Sequence, residues 1–350
     1  METISFARGA PAPELLPLEE LADCAAAAVA RDGRTILSYG SGAGYAPLRE
    51  LIGEWFGVHP GRVVVTNGSL DGLGLLARRL ASHENVLVEE PAYDRAYKAL
   101  LAAGARLQTA VVDDDGLDAG DVEVVLSTQA KLAFLYTIPT FQNPTGTELS
   151  LERRERLVRY LRKRGFMIVE DDPYSLVRFE GEPLPALFDL SGKQTIYMSS
   201  FSKTIAPGLR VGWMIVPEPL AGDLTAAATG DYITPVQLGQ AVAHEFISRG
   251  SFTGNLERAR AGLRERRDAM LHALDRHFAG ARWTRPRGGY FVWLELPEGV
   301  DARAVLARAE GVAAVAGEEF GGARNSMRLA FSFAAPDEIA EGVRRLAAAA

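Results

Sequence analysis

The chain has 350 residues, of which 47% are hydrophobic and 24% charged, and its formal net charge is −7. This length predicts a large domain plus a smaller one with a well-buried core. The acidic balance argues against a nucleic-acid partner, because surfaces that bind phosphate backbones are usually basic. The single cysteine, Cys24, excludes an intramolecular disulfide framework, and no apolar stretch reaches the roughly 18 residues of a membrane span. We therefore expect a soluble, cytoplasmic protein without a membrane partner.

Strand-like and helix-like segments alternate through the first two thirds of the sequence. Short β-branched runs predict strands at residues 62–65, 85–89, 107–112, 132–138, 166–170, 195–198 and 211–216. Helical periodicity lies between many of them, at residues 70–80, 93–103 and 151–164. This alternation predicts a mostly parallel central sheet with helices on both faces, in which ligands bind outside the carboxyl ends of the strands.

The pattern differs at both ends of the chain. Residues 1–44 combine a helix with a turn-rich, proline-containing connection and predict an extended arm. After about residue 249, a charged helix at 255–277 is followed by predicted strands at 289–296, 312–316 and 327–331, a helix at 302–309 and a closing helix. We expect an N-terminal arm at 1–44, a large α/β domain at 45–248 and a smaller α+β domain at 249–350.

Residues 199–213, SSFSKTIAPGLRVGW, form a hydroxyl-rich loop between two predicted strands. Lys203 lies in this loop, with Ser200 and Ser202 before it and Arg210 after it. Lysine is the side chain that forms Schiff bases with carbonyl cofactors such as pyridoxal phosphate (PLP). The two serines and Arg210 can converge on one anion, such as the phosphate of that cofactor. An ordinary polar loop is the alternative interpretation of this segment taken alone.

Other polar side chains follow predicted strands and would meet further needs of such a cofactor. Asp171, after strand 166–170, could pair with a ring nitrogen, and Tyr174 could donate to a phenolic oxygen. Alternatively, Asp171 and Asp172 only cap the next turn. Asn143 offers an amide donor from a proline-rich loop, although a turn without a ligand explains that loop equally well.

Three further residues are candidates for contacts with a cofactor or substrate. Ser69 precedes helix 70–80, where backbone N–H groups can hold a phosphate, and a helix N-cap is an alternative role that is compatible with the first. Tyr93 follows a predicted strand and could stack on a planar ring. Arg328 lies within apolar strand 327–331 and could bind a substrate carboxylate bidentately. The alternative for Arg328 is an edge-strand arginine that faces solvent.

The sequence contains no comparable signal for a metal. Its five histidines lack a zinc-ligand spacing. The aspartate-rich residues 113–118 lack the later glutamate of a calcium loop and predict a turn that caps the next helix. Residues 40–44 are rich in glycine, match no dinucleotide-binding spacing, and are interpreted as a flexible turn. We expect no metal site.

In their order along the chain, these motifs resemble those of the fold-type I PLP-dependent enzymes, in particular the class I/II aminotransferases. Within that class the sequence is most similar to the α-aminoadipate/kynurenine aminotransferase group and to the aminotransferase-like half of GntR-type regulators. The resemblance covers nearly the whole chain, through SYG at 38–40, YAPLRE at 45–50, TNGS at 66–69, EPAY at 90–93, FQNPTG at 141–146, EDDPY at 170–174, the lysine loop, PRGGYFVW at 286–293 and MRLAFS at 327–332. It implies a fold-type I PLP-transferase.

The resemblance also implies a catalytic set composed of Lys203, Asp171 and Tyr174. Lys203 would hold PLP as a Schiff base and carry a proton between the substrate and the cofactor. Asp171 would pair with the ring nitrogen, while Tyr174 and Asn143 would donate to the phenolic oxygen. Tyr93 would stack on the ring.

The remaining implied contacts are to the phosphate and the substrate. The phosphate would be held by Ser69, Ser200, Ser202 and Arg210, with Tyr39 reaching it from a neighbouring subunit. Arg328 would bind the α-carboxylate of the substrate, beside Asn143 and Gly9. Because relatives are usually obligate dimers with shared active sites, the resemblance implies a homodimer.

The expected activity is transfer of an amino group from an L-amino acid to a 2-oxo acid. A PLP enzyme with another outcome, such as a cyclase, oxidase, decarboxylase or eliminase, would share the same core residues and is the main alternative. A ligand-sensing regulator is a more remote one. It would be expected to carry a winged-helix domain and a basic surface, whereas this acidic sequence opens with an enzyme-like arm. The sequence leaves the identity of donor and acceptor open.

Overall fold

A computed structural model describes residues 3–129 and 131–350, without the side chain of Lys193. The N-terminal part contains strand β1 (Ile4–Ser5), helix α1 (Leu18–Ile36) and helix α2 (Ala46–Phe56). Within the described residues there is no helix whose length and apolar content would carry it across a membrane.

The middle of the chain forms an eight-stranded sheet. Its strands are β2 (Val63–Thr66), β3 (Asn85–Glu90), β4 (Arg106–Asp113), β5 (Gly116–Leu117), β6 (Leu132–Thr137), β7 (Ile168–Asp171), β8 (Thr195–Ser200) and β9 (Gly212–Ile215). They lie in the order β2-β9-β8-β7-β6-β3-β4-β5. Strand β9 is antiparallel to both of its neighbours and β5 is antiparallel to β4, while the other adjacent pairs are parallel. The predicted mostly parallel sheet is confirmed.

Helices cover both faces of this sheet, as predicted. They are α3 (Ser69–Leu80), α4 (Asp94–Ala102), α5 (Ala119–Thr128), α6 (Leu151–Lys163), α7 (Leu187–Ser191), α8 (Glu218–Tyr232) and α9 (Gln237–Ser248). Alternate residues of a strand point to opposite faces, so one strand serves two cores. In β2, Val64 packs in the cluster that contains α3 and α4, whereas Val63 and Val65 pack with α1, α2 and α9.

The aspartate-rich segment 113–118 forms a turn and a helix cap, as predicted. Asp118 Oδ1 accepts hydrogen bonds from the backbone N–H groups of Gly120 and Asp121, at 2.6 and 3.0 Å, at the start of α5. Among the described residues, no group of three His, Cys, Asp or Glu side chains is arranged to hold a metal ion.

The C-terminal part combines helices with a four-stranded antiparallel sheet. Its elements are α10 (Ser251–His277), β10 (Arg282–Trp283), β11 (Phe291–Glu295), α11 (Ala302–Arg308), β12 (Val312–Ala313), β13 (Val315–Ala316), β14 (Ser326–Ala330) and α12 (Pro336–Ala348). The sheet order is β10-β11-β14-β13. The single strand predicted at 312–316 is wrong, because β13 joins this sheet whereas β12 pairs in parallel with β1 of the N-terminal arm.

The first residues of the arm are attached to the C-terminal part. Ala330 N donates to Phe6 O at 2.8 Å, and the Ser332 hydroxyl donates to Ala10 O at 2.8 Å. Phe6 itself is fully buried. These contacts hold the intervening residues 7–9 beside β14, and therefore beside Arg328.

Candidate active site

A cavity of about 650 Å³ lies at the carboxyl ends of the large sheet's strands, where that sheet meets the C-terminal sheet. All of the predicted site residues except Tyr39 line it, namely Gly9, Ser69, Tyr93, Asn143, Asp171, Tyr174, Ser200, Ser202, Lys203, Arg210 and Arg328. Tyr39 is 80% exposed and does not line the cavity of its own chain. Its predicted contact, which concerns a neighbouring subunit, stays a prediction.

Asp171 is the last residue of β7, and its carboxyl group is buried at the floor of the cavity. The Tyr136 hydroxyl donates to its Oδ2 atom at 2.7 Å. Its Oδ1 atom is buried and has no hydrogen-bond partner among the described residues. Burial raises the pKa of Asp171 to about 6, although the hydrogen bond from Tyr136 and the charge of Lys203 act in the opposite direction.

The alternative that both aspartates cap a turn holds for Asp172 only. Asp172 Oδ1 accepts a hydrogen bond from Ser175 N at 2.9 Å, and its Oδ2 accepts one from the Tyr197 hydroxyl at 2.9 Å. Successive side chains at a strand end point in opposite directions, so Asp171 faces the cavity while Asp172 is engaged in the turn. Within the described residues, Asp171 therefore keeps one carboxylate oxygen free to accept a hydrogen bond from a ligand, whereas both oxygens of Asp172 already accept hydrogen bonds.

The amine of Lys203 projects into the same cavity from the loop after β8. Its Nζ atom donates to Gly9 O at 2.6 Å and lies 5.3 Å from the centre of the Tyr290 ring. Burial lowers the pKa of Lys203 to about 8, and the charges of Arg328 and Arg210 lower it further, against the opposing effect of Asp171. A substantial neutral fraction near neutral pH makes this amine more nucleophilic than a surface lysine.

The turn between β2 and α3 approaches Arg210 closely. Gly68 has a φ of +98°, and a Cβ atom there would lie 2.4 Å from Arg210 Nη2, which donates to Asn67 O at 3.0 Å. Gly212 allows β9 to pass beneath the turn, since a Cβ atom at that position would lie 2.2 Å from Ser69 N. Backbone N–H groups and a guanidinium thus meet at one helix N-terminus, the arrangement that binds phosphates.

Ser69 is the first residue of α3 and not its N-cap. The N-cap position is held by Gly68, which has no side chain, and no side-chain hydrogen bond caps the helix. The N-cap alternative for Ser69 is therefore wrong. Ser69, Ser200 and Ser202 all border the cavity near this helix start.

Arg328 is buried in the middle of the C-terminal sheet. Strand β14 lies between β11 and β13, so the alternative of a solvent-facing arginine on an edge strand is wrong. Arg328 Nη1 donates to Asn143 Oδ1 and Nη2 donates to Ala7 O, each at 2.9 Å. Within the described residues its Nε atom has no acceptor. A buried cation with unused donor capacity is suited to a carboxylate ligand.

Tyr93 and Tyr174 form part of the cavity wall. Burial raises the pKa of Tyr93 to about 12, and burial also raises the pKa of Tyr174 far above its usual value. Both hydroxyls therefore stay protonated and can donate hydrogen bonds at any physiological pH.

Two buried side chains that support the site were missed in the sequence. Tyr136 belongs to the apolar strand β6, where its ring packs in the core and only its hydroxyl reaches Asp171. Glu89, near the end of β3, accepts hydrogen bonds from Ile138 N and Gln142 Nε2, each at 3.0 Å, and so shapes the loop that carries Asn143. The sequence does contain a signal for Glu89, because a carboxylate stands there at the end of a predicted strand, two residues before Pro91.

Tyr136→Phe is expected to weaken PLP binding about tenfold at neutral pH, the scale of a hydrogen bond to a charged group. Loss of the hydroxyl removes an interaction that lowers the pKa of Asp171, so the pKa of that carboxyl rises and the carboxylate is lost at a higher pH. The dissociation constant of PLP, measured by absorption at several pH values, checks this. Tyr197→Phe is the matched control, because its hydroxyl donates to Asp172. Equal PLP affinity in Tyr136→Phe and wild type would contradict the prediction.

The groups that border the cavity fit PLP. The unpartnered Asp171 Oδ1 atom is an acceptor suited to a protonated ring nitrogen. The helix start at Ser69, together with Arg210, suits a phosphate. The Lys203 amine, with its lowered pKa, suits an aldehyde.

Comparison with known proteins agrees with this fit. The sequence model of the family "Aminotransferase class I and II" matches residues 4–346. A 2-aminoadipate transaminase from Thermus thermophilus is 42% identical over 98% of this chain and 89% of its own length. The crystal structure of an α-aminoadipate aminotransferase from that organism, complexed with N-(5'-phosphopyridoxyl)-L-leucine, matches with a TM-score of 0.95 at 41% identity, over 99% of this chain and 92% of the other.

The similarity extends to regulators, as the sequence predicted. An uncharacterised helix-turn-helix transcriptional regulator of Bacillus subtilis, YisV, is 33% identical over 89% of this chain, which corresponds to 66% of the regulator. The structural match confirms the fold-type I assignment, and the phosphopyridoxyl ligand of the Thermus enzyme confirms the cofactor class. The chain belongs to the aminotransferases of class I and II, PLP-dependent enzymes that transfer an amino group from an amino acid to a 2-oxo acid.

Proposed function

We propose that this cavity is where amino transfer takes place, with Lys203, Asp171 and Tyr174 as catalytic residues and Arg328 as the anchor for the α-carboxylate of an L-amino acid. One observation carries the proposal: the Lys203 amine, the Asp171 carboxyl and the Arg328 guanidinium border a single cavity. They come from three separate elements and have three different chemistries. Together they meet the needs of one cofactor and one amino-acid substrate.

When bound, PLP supplies an aldehyde that combines with amines and a ring that withdraws electrons from the substrate's Cα. Lys203 moves the proton at Cα, a task suited to a general base whose pKa is near 8. Asp171 keeps the ring nitrogen protonated through its Oδ1 atom, while Tyr136 orients the carboxylate from the other side.

The other polar residues hold the cofactor in place. Tyr174 and Asn143 would donate to the phenolic oxygen, and Tyr93 would pack against the ring. The phosphate would be bound by the start of α3 and by four side chains: Ser69, Ser200, Ser202 and Arg210. These anchors limit rotation of the ring, so that the reacting bond keeps its position relative to the Lys203 amine.

The substrate's α-carboxylate meets Arg328 next to the arm. Arg328 already donates to Asn143 and to Ala7 O, and its Nε–H, which has no acceptor among the described residues, is available to the carboxylate. Gly9 lines the same cavity, and a Cβ atom there would be 2.6 Å from the Phe291 ring, so a larger residue would require that ring to shift. The arm therefore forms one wall of the substrate site.

Titration of the PLP-loaded protein with amino acids tests this function. We expect the cofactor's visible absorption to change to that of its amine form, with release of an equal amount of 2-oxo acid. Release of carbon dioxide or ammonia, or consumption of oxygen, in place of transfer would favour the other PLP outcomes. PLP binding without conversion of any amino acid would favour a ligand-sensing protein, and failure to bind PLP would contradict both enzyme functions.

The names of the relatives leave the side chain of the substrate open. The Thermus transaminase is named for 2-aminoadipate, which supports a substrate with a second carboxylate. The leucine adduct in its structural relative supports an aliphatic side chain.

We also propose a cytoplasmic homodimer in which Tyr39 reaches the phosphate site of the partner. Tyr39 is 80% exposed, and the apolar side chains of Leu37, Ile233 and Val236 are exposed at 66%, 49% and 55%. These segments lie together, because Thr234 Oγ1 lies 3.5 Å from Ser41 O. An exposed apolar patch of this kind is typical of a subunit interface.

Sedimentation velocity checks the proposed assembly. We expect a dimer at micromolar concentration, and Tyr39→Ala is expected to weaken PLP binding without changing the fold, since the side chain contacts solvent in its own chain. A monomer with full PLP affinity would contradict the shared site.

We further propose the division of the chain into an arm at 1–44, a large domain at 45–248 and a small domain at 249–350. The eight-stranded sheet lies wholly within the second range and the four-stranded sheet within the third, which supports these limits. Strand β1 of the arm pairs with β12 of the third range, whereas helix α1 of the arm packs against α2 and α9 of the second.

A further inference from the structure

One buried side chain of the C-terminal part contacts both ends of Lys203. Tyr290 directly precedes β11 and is 1% exposed. Its hydroxyl donates to Lys203 O at 3.0 Å, and the centre of its ring lies 5.3 Å from Lys203 Nζ. Tyr290 therefore connects the C-terminal part with the loop after β8, at the residue on which the proposed chemistry depends.

Tyr290 is itself held in place from several sides. Phe331 N donates to Tyr290 O at 3.0 Å, and the centre of the Tyr174 ring lies 5.6 Å from that of Tyr290. The preceding residue, Gly289, is pressed against Phe141, since a Cβ atom at Gly289 would lie 2.6 Å from Phe141 Cβ. In such close packing the ring has little freedom to turn away from the lysine.

The hydroxyl of Tyr290 is not explained by packing. The ring belongs to the hydrophobic core, where phenylalanine would fill the same space without a polar group to satisfy. Among the described residues, no backbone N–H donates to Lys203 O, so Tyr290 supplies the hydrogen bond to that carbonyl. The next carbonyl, Thr204 O, accepts from Nδ2 of the buried Asn255 at 2.6 Å. Two consecutive peptide groups of the lysine loop are thus oriented by side chains of the C-terminal part.

The ring of Tyr290 acts on the amine of Lys203. An ammonium group over the face of an aromatic ring is attracted by the partial negative charge of that face. Burial lowers the pKa of the amine, the charges of Arg328 and Arg210 lower it further, and Asp171 raises it. The ring face acts in the same direction as Asp171, because it favours the ammonium form, and it also restricts where the amine can lie.

We propose that Tyr290 is a positioning residue for amino transfer. Its hydroxyl orients the peptide group of Lys203, and its ring face keeps the amine at its place in the cavity. Tyr290 acts from behind the lysine, since it does not border the cavity of about 650 Å³ that holds the site. The proposal rests on the function proposed above and adds a residue that acts through Lys203.

Covalent attachment of PLP to the cofactor-free protein tests the hydroxyl without turnover. In Tyr290→Phe, we expect the rate of attachment, followed by absorption, to fall about fivefold, the scale of one hydrogen bond. In assays of amino transfer, kcat is expected to fall by a similar factor while KM for the amino acid is unchanged, because the contacts of Arg328 are retained. A wild-type rate of attachment in Tyr290→Phe would overturn the proposal.

Tyr290→Leu tests the ring. Phenylalanine keeps the ring, so the pKa of the Lys203 amine is expected to stay near its wild-type value in Tyr290→Phe. Leucine removes the ring, so this pKa is expected to fall by about one unit, because the ammonium form loses its attraction to the ring face. NMR titration of cofactor-free protein labelled with ¹³C at lysine Cε measures both values. Equal pKa values in the two variants would contradict the role of the ring.

Tyr160→Phe is the matched control, because Tyr160 makes the same two kinds of contact away from the cavity. Its hydroxyl donates to Glu123 O at 3.1 Å, and the guanidinium carbon of Arg164 lies 3.9 Å from the centre of its ring. We expect wild-type rates of attachment and of amino transfer in this variant. An equal fall in Tyr160→Phe and Tyr290→Phe would show a general effect of losing a tyrosine hydroxyl and would overturn the assignment.

These outcomes are separable from failure of the proposed function. If Tyr290→Phe slowed attachment of PLP but the wild-type protein transaminated no amino acid, the proposed function would fail and the action of Tyr290 on Lys203 would stand. If the wild-type protein and Tyr290→Phe attached PLP and transaminated amino acids equally fast, the function would stand and Tyr290 would have no positioning role.

Discussion

Replacement of Lys203 by alanine is expected to lower kcat by at least about 10⁴-fold with every amino acid, because the covalent anchor and the general base proposed above would both be lost. Alanine has no amine to combine with the aldehyde or to move the proton at Cα. The phosphate contacts and the Asp171 carboxyl remain, so PLP still binds without a covalent link. Rapid-mixing assays of amino transfer, with equilibrium titration of PLP by absorption, measure the two effects separately.

Two further variants serve as controls. One tests whether the positive charge of Lys203 is sufficient, and the other tests whether loss of any lysine lowers the activity. Lys203→Arg keeps a positive charge, but a guanidinium is not deprotonated in proteins, so the same loss of kcat is expected. Lys163→Ala removes an exposed lysine at the end of α6 and is expected to retain wild-type activity. Full turnover in Lys203→Ala would remove Lys203 from the mechanism.

Asp171→Asn is expected to lower kcat by about 10²–10³-fold, comparable to the loss of one preorganised electrostatic contact at a reacting centre. An amide of the same shape fills the space beside Tyr136 but no longer stabilises a protonated ring nitrogen. The ring then withdraws electrons from Cα less effectively. Single-turnover measurements of the half-reaction with one amino acid report this loss directly.

The pH dependence of PLP binding gives a second measure of Asp171. Because burial raises the pKa of this carboxyl to about 6, the chain without cofactor holds a proton there below that pH. PLP must displace the proton to pair with the carboxylate, so the dissociation constant is expected to rise as pH falls through about 6. In Asp171→Asn this contribution is absent, since the amide does not titrate.

Asp172→Asn is the matched control for Asp171. Asp172 accepts hydrogen bonds from Ser175 N and from Tyr197, so its loss is expected to cost about 1–2 kcal/mol of unfolding free energy. PLP affinity and its pH dependence are expected to stay near those of wild type. Equal effects of the two substitutions on PLP binding would contradict the separate roles assigned to these neighbours.

Much of the site could be predicted because its residues follow strands in the sequence. Lys203, Asp171 and Tyr93 come shortly after predicted strands, and in a parallel sheet the carboxyl ends of those strands share one edge. The order of the runs along the chain therefore placed these side chains near one another before any coordinate was known.

Other features could not be predicted, because they depend on contacts between distant segments. Whether Asp171 or Asp172 caps the turn depends on their hydrogen-bond partners. The Tyr136 hydroxyl donates to Asp171, and the Tyr197 hydroxyl donates to Asp172. The edge-strand alternative for Arg328 depends on whether β13 covers the far side of β14. The tyrosines and strand β13 are all separated in sequence from the residues that they contact.

The arm illustrates the same limit. Its prolines predicted an extended segment, but not that β1 would pair with β12 or that Gly9 O would accept from Lys203. Hydrogen bonds of an extended segment are made with other segments, so local sequence does not specify them.

By itself, the sequence determined the class of fold and cofactor, because strand periodicity, the lysine loop and the strand-end motifs are local properties of the chain. Tertiary structure alone decided which carboxylate faces the cavity and that Arg328 is buried in mid-sheet. The physical reason is that burial, pKa and charge balance are set by neighbours in space, and in this fold most of those neighbours come from distant parts of the chain.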